Sequence, residues 1–216
     1  MKMLCEGCRK REAEVSFRYS RKLCRLCFSK ALERRCRNDL AYSGAIDRII
    51  GARAVVLLDD GTLESEAARI FLSKIITDKR VKFIIRKCRK PDSSIFEDRD
   101  EIDFAKKKSS KCIAVPWSIE REDALFLESQ ISGKKKRIGA VQKENGIIFI
   151  KIFRNATRNE MREYAKRLSK RKLSGEERSP VYRMTESLEK KYSGIKFSIL
   201  SSANFLQKIS GKNRQE

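Results

Sequence analysis

Apolar positions change their period several times along the chain, and each change predicts an element. Ala54-Val55-Val56-Leu57-Leu58 is a continuous apolar run, the pattern of a strand buried on both faces. Asp59-Asp60-Gly61-Thr62 follows as a turn. From Glu64 to Ile76 the residues Ala67, Ala68, Ile70, Phe71, Leu72, Ile75 and Ile76 recur at helical spacing, which predicts a helix packed on a sheet. Val81 to Ile85 reads as a second strand, and Cys112 to Val115, ended by Pro116, as a third. The polar stretch between them holds a helix around Asp98 to Lys108. Ile119 to Ile131 predicts a helix with Ala124, Leu125, Leu127 and Ile131 on its inner face. Arg137 to Gln142 and Ile147 to Phe153 flank Asn145-Gly146, a hairpin signal. Helices follow over Thr157 to about Lys170 and Pro180 to about Tyr192, then a frayed tail. Strands alternating with helices predict an α/β fold, a parallel sheet covered on both faces. In such sheets ligands bind beyond the carboxyl ends of the strands. The Asp59 to Thr62 turn therefore falls where a nucleotide phosphate would be cradled.

The first 28 residues are different. Cys5, Cys8, Cys24 and Cys27 read C-x2-C-x15-C-x2-C, a zinc-site spacing. Each two-residue gap lets a tight knuckle aim two thiolates at one metal, and two knuckles complete a tetrahedral site. Ala13, Val15, Phe17 and Tyr19 alternate between the knuckles, as in a short hairpin. Phe17 and Tyr19 either pack this hairpin or stack on bases. Four thiolates leave no open coordination position, so a structural ion, Zn²⁺, is expected; an iron–sulfur cluster is the alternative. An Arg-rich helix follows from Phe28 to about Gly51, broken near Ser43-Gly44, and carries Cys36 as a small buried residue. The expected organisation is a zinc ribbon over 1–28, an α/β domain over 29–210 and a flexible tail over 211–216.

Charge narrows the partners. The 216 residues carry 51 Lys+Arg against 29 Asp+Glu, a net +22, which calls for a polyanion, nucleic acid before membrane. Residues 1–50 hold 13 basic and 6 acidic groups, 51–150 hold 21 and 16, and 151–216 hold 17 and 7. The excess thus flanks the middle of the chain. Its clusters are Arg34, Arg35 and Arg37; Lys134, Lys135, Lys136 and Arg137; and Lys166, Arg167, Lys170, Arg171 and Lys172. These are candidate nucleic-acid contacts, set against a merely solvated, highly charged surface. Histidine is absent, which removes His-based triads, His general bases and His-ligated metals. No apolar run approaches the roughly 20 residues of a membrane span, and the N-terminus has no signal-peptide core, so a cytoplasmic location is expected.

Three segments together resemble the PP-loop tRNA 2-thiouridine synthetases. Leu23-Cys24-Arg25-Leu26-Cys27-Phe28, after Cys5-Glu6-Gly7-Cys8, is similar to that family's N-terminal zinc ribbon. Ile113 to Ala124, IAVPWSIEREDA, looks like its second nucleotide-site segment, a strand followed by an "atGHnLDDeA" helix start. Leu188 to Leu200, LEKKYSGIKFSIL, is similar to its C-terminal "lE.kyPGtKfsiL" stretch. The resemblance implies a PP-loop fold of the adenine nucleotide alpha hydrolase type.

The departures imply more about activity. Active members carry an SGGxDS loop that grips ATP pyrophosphate. Here the loop is Asp60-Gly61-Thr62-Leu63-Glu64-Ser65, which keeps Gly61 and Ser65 but begins with Asp60. Asp59, Asp60 and Glu64 set carboxylates where a polyphosphate would lie, which argues against ATP as a cofactor. Pro116 and Trp117 replace the Gly-His pair, and Glu120 to Asp123 partly echo the acidic pair. Trp117 is expected to fill an emptied nucleotide pocket, to mark an interface or to sit in the core. The family's pair of core-domain cysteines has no full counterpart: Cys88 fits one position loosely, and no cysteine follows Cys112. The match is to the degenerate branch, the non-catalytic second subunit of the cytoplasmic wobble-uridine thiolation complex, in an archaeal-type form. The resemblance then implies tRNA, a catalytic PP-loop paralog (or a second copy), a ubiquitin-like sulfur carrier and no membrane as the set of partners. Two rival readings are an active ATP-dependent tRNA-thiolating enzyme with a divergent loop, and a zinc-ribbon nucleic-acid adaptor unrelated to thiolation.

Overall fold

A computed structural model describes residues 3–17, 21–88, 93–133, 138–166 and 180–212. Two short antiparallel strands, β1 (Val15–Phe17) and β2 (Arg21–Leu23), form a hairpin that holds the cysteine knuckles. Helices α1 (Arg25–Tyr42) and α2 (Ala45–Ile50) follow, separated by Gly44 at φ +67°. The break predicted at Ser43-Gly44 is there because a residue without Cβ turns left-handed at little cost.

The central sheet has five strands: β3 (Ala54–Asp59), β4 (Lys82–Lys87), β5 (Cys112–Pro116), β6 (Val141–Glu144) and β7 (Ile147–Ile152). Their order is β4-β3-β5-β7-β6, parallel except for the edge strand β6, which pairs antiparallel with β7. Helices α3 (Leu63–Ile75), α4 (Arg99–Lys107) and α5 (Ile119–Ser132) serve the parallel crossovers, with a 3-10 turn over Ser93–Glu97. Three more helices follow among the described residues: α6 (Arg158–Lys166), α7 (Pro180–Lys191) and α8 (Ile195–Lys212). The α/β class expected from the sequence is the one found. Helix α8 had no periodicity-based forecast, and its first residues lie in the LEKKYSGIKFSIL stretch.

Strand β3 explains the layering. All six of its residues are buried, and successive side chains point to opposite faces. Val55 and Leu57 join the core built by α1, α3, α6 and the hairpin, which includes Leu23, Phe28, Leu32, Phe71 and Met161. Val56 and Leu58 join the other, with Ile113, Val115, Phe149, Phe96 and Trp117. One continuous apolar cluster therefore links the cysteine hairpin to the sheet. The edge strand β4 has charged Lys82, Arg86 and Lys87, which blunts edge-to-edge pairing.

Strand β3 connects to β4 on one side, and the chain then crosses to β5 on the other side of β3. The switch point thus lies between β3 and β5. Beyond their carboxyl ends lie the turns at Asp59–Thr62 and Trp117–Ser118, at the crevice position where such sheets bind ligands.

Candidate functional site

The cysteine centre forms because two knuckles are held at one end of the hairpin. Backbone N–H groups of Cys5 and Arg9 donate to Arg11 O and Cys5 O, and that of Phe28 donates to Cys24 O. Gly7 N–H donates to Cys5 Sγ at 3.3 Å. A Cβ on Gly7 would lie 3.1 Å from Cys27 Cβ and 3.2 Å from its Sγ, so a larger residue would crowd the closing knuckles. The four sulfurs of Cys5, Cys8, Cys24 and Cys27 all lie within 4.8 Å of one another, and Cys8 and Cys24 are 3.9 Å apart. A tetrahedral ion with bonds of ~2.3 Å requires sulfur separations of roughly 3.8 Å. A cubane cluster spreads its thiolates farther, because each binds a different iron. The donor set therefore fits one tetrahedral ion. Burial pushes the Cys5 thiol up, but N–H donors from Cys24, Cys8 and Gly7 outweigh it and bring the group down to about 6. The neighbouring Cys24 thiol, then burial, push Cys27 up to about 12. The cage is arranged for anionic sulfur but does not ionise fully without a cation.

All seven cysteines are unbridged. Cys36 is buried and donates to Asn155 Oδ1 at 3.4 Å, the small buried role expected. Cys112 lies inside β5. Cys88 directly follows β4, its N–H donating to Asp59 O at 3.0 Å, so the fold brings it to the crevice mouth. Burial, then Asp60, Glu101 and Asp59, push its thiol up to about 12. These surroundings disfavour a thiolate, the form that nucleophilic sulfur chemistry needs.

In the crevice, Thr62 caps α3, accepting from Ser65 N–H at 3.2 Å. Gly61 makes the turn at φ +79°, donating to Asp59 Oδ1 at 2.8 Å. Asp60 folds back over this helix start. Its Oδ1 accepts from Thr62 N–H at 3.2 Å, from Thr62 Oγ1 at 2.6 Å and from Ser65 Oγ. A carboxylate from the chain itself thus takes donors at the helix N-terminus that a phosphate would use.

The expectation that Asp59, Asp60 and Glu64 act alike by repulsion is corrected. Glu64 points away into a buried ion-pair chain. Arg158 Nε lies 3.0 Å and Arg162 Nε 3.5 Å from its Oε1. Burial raises the Glu64 carboxyl, but these guanidiniums hold it below the ordinary carboxylate value. Glu120 accepts from Arg158 N–H at 3.1 Å and from Lys196 Nζ at 3.0 Å. Glu122 accepts from buried Lys151 Nζ at 2.6 Å, Trp117 Nε1 at 3.0 Å and Gly139 N–H at 2.6 Å. Asp123, fully buried, has neither oxygen hydrogen-bonded. Trp117 belongs to the core, stacked near Phe96 and under the Lys151 ammonium, so it marks no exposed interface.

The basic clusters divide. Arg34 and Arg37 are exposed on α1. Arg35 is not available to a polyanion: it grips Glu160 through Nη1 and Nη2 and lies over the Phe17 ring. Phe17 packs edge-on against Phe28, a hairpin-packing role. Lys166 pairs with Glu163. Lys134, Lys135, Lys136, Arg137, Arg167, Lys170, Arg171, Lys172 and Tyr19 lie outside the described residues. Arg158, Arg162, Lys151 and Lys196, which neutralise the crevice carboxylates, escaped the sequence reading because partners up to 94 positions apart leave no local pattern.

Together these features define a class: an α/β fold with a mostly parallel five-stranded sheet, bearing an N-terminal four-cysteine centre. One solved structure shares the fold. The chain is similar in structure to the U34-tRNA thiolase NcsA from Methanococcus maripaludis, solved with its [4Fe-4S] cluster, with a TM-score of 0.70 and 16% identity over 95% of this chain and 87% of that one. No model of a known protein family matches the sequence, and no curated protein sequence does. No helix among the described residues is long and apolar enough to cross a membrane.

Proposed function

We propose that the chain is a tRNA-binding, non-catalytic subunit that supports 2-thiolation of wobble uridine 34 beside a catalytic PP-loop partner. The observation that carries this reading is Asp60, whose carboxylate takes Thr62 N–H, Thr62 Oγ1 and Ser65 Oγ at the helix start that would hold pyrophosphate. The burial and carboxylates that push the Cys88 thiol up support it from the sulfur side. The likeness to a U34-tRNA thiolase supports tRNA as the nucleic acid, as does the net charge of +22. In this reading residues 1–28 are a module folded around one Zn²⁺, and 29–210 are the α/β body. The sulfur separations favour zinc over an iron–sulfur cluster at these four cysteines.

Calorimetry with ATP·Mg²⁺ tests the central claim. The expected result is no micromolar binding and no thiolation of tRNA by the isolated chain. Micromolar binding with turnover would make it an active enzyme instead. Affinity capture from the native source tests the partner: a PP-loop paralog supports the reading, and transcription or ribosomal proteins favour an adaptor unrelated to thiolation.

A further inference from the structure

The crevice occupies one end of the sheet. At the other end, the amino ends of β3, β5 and β7 open into a cavity of about 890 Å³. Ala52, Cys112, Ile147 and Ile148 give it an apolar floor, and the Asn145-Gly146 turn closes one side. Arg48, Arg53, Lys106 and Lys111 stand around it, with Asp47 as the sole carboxylate among the described residues of the lining.

These four cations differ from those built into the interior of the fold. Arg35, Lys151, Arg154, Arg158 and Lys196 each have a carboxylate partner. Among the described residues, Arg48, Arg53, Lys106 and Lys111 have none, although Arg48 is half-buried. Lys106 and Arg48 lie in the last turns of α4 and α2, where a cation offsets the helix carbonyl end. That reason does not extend to Arg53 and Lys111, each placed one residue before a strand. A partly enclosed group of unpaired cations above an apolar floor suits a phosphate ester carrying a flat, weakly polar ring.

The surroundings favour a long anion over a small one. Helix α1 runs from the cysteine centre towards α2, which lines the cavity, and its 18 residues span roughly 27 Å. Exposed Arg34 and Arg37 lie along it. We infer that this cavity seats a nucleotide of an unpaired RNA segment, its phosphodiester held by Arg48, Arg53, Lys106 and Lys111. The inference rests on the tRNA-binding reading and says where the RNA is held.

The test measures fluorescence anisotropy of a labelled tRNA transcript against salt concentration, using full-length protein. Arg48→Gln, Arg53→Gln, Lys106→Gln and Lys111→Gln are combined in one variant. A charge-matched comparison combines Lys87→Gln, Arg99→Gln, Lys190→Gln and Lys191→Gln, all exposed and none of them lining the cavity. Loss of the grip on the one or two phosphates flanking a single nucleotide predicts a salt slope shallower by roughly 0.7–1.4 and at least about tenfold weaker binding. If the fourfold variant does not fold, Arg53→Gln with Lys111→Gln, both exposed, should lower the slope by about half that amount. Equal losses in the cavity and comparison variants overturn this inference while leaving tRNA binding intact. Micromolar binding of a nucleoside monophosphate that does not compete with tRNA overturns it too, assigning the cavity to a small ligand. A wild-type chain that binds no tRNA overturns the functional reading itself.

Discussion

Asp123 stores a measurable cost in the fold. It has 0% exposure, and no hydrogen bond reaches either oxygen. Burial first, then Glu120 and Glu122, raise its pKa from an ordinary 3.8 to about 9; Lys196 opposes them and Glu189 adds to them. Between these values the unfolded chain has released the proton and the folded chain keeps it. Folding therefore takes up a proton, and stability falls as pH rises across this window, by about 1.4 kcal/mol per pH unit. Up to pH 7 the accumulated cost is about 4 kcal/mol. Asp123→Asn has the same shape and no charge at any pH. Its second amide hydrogen adds an unmet donor worth roughly 1–3 kcal/mol, so the net gain at pH 7 is roughly 1–3 kcal/mol. For a chain of this size that raises Tm by about 2–12 °C. Urea unfolding of both proteins at several pH values between 5 and 8.5 reads the difference. The gap in favour of Asp123→Asn should widen steadily with pH. A gap that does not change with pH would mean that Asp123 is ionised in the fold, and the reasoning would be wrong.

Other outcomes follow from the same geometry. One tetrahedral ion per chain should be found by metal analysis, without the broad visible absorption of an iron–sulfur cluster, and Cys27→Ala should lose the ion and lower Tm. Glu122→Gln removes the carboxylate from Lys151, which is 0% exposed, and should cost about 3–5 kcal/mol in urea unfolding. Asp60→Gly removes the carboxylate from the start of α3 and should raise pyrophosphate affinity at least about tenfold by calorimetry, the ~1.4 kcal/mol of one charge-assisted contact. Leu57→Ala in the sheet interior should cost about 2–5 kcal/mol.

The amino-acid sequence by itself determined the strands and most of the helices, because burial imposes a local period. Ala54 to Leu58 must be buried on both faces, and α3 must turn its apolar stripe inward. It also determined the cysteine centre, since two C-x2-C knuckles carry their geometry within a few residues. Gly61, with its positive φ, was likewise legible as a turn. The tertiary structure decided which charges oppose and which cancel. Glu64 read as a repulsive carboxylate until Arg158 and Arg162 were brought to it, and Arg35 read as an RNA contact until Glu160 claimed it. It also placed Cys88 at the crevice mouth and gathered Arg48, Arg53, Lys106 and Lys111 around one cavity. Ion pairs and cavities join residues tens of positions apart, and their energies depend on burial, so no local period records them.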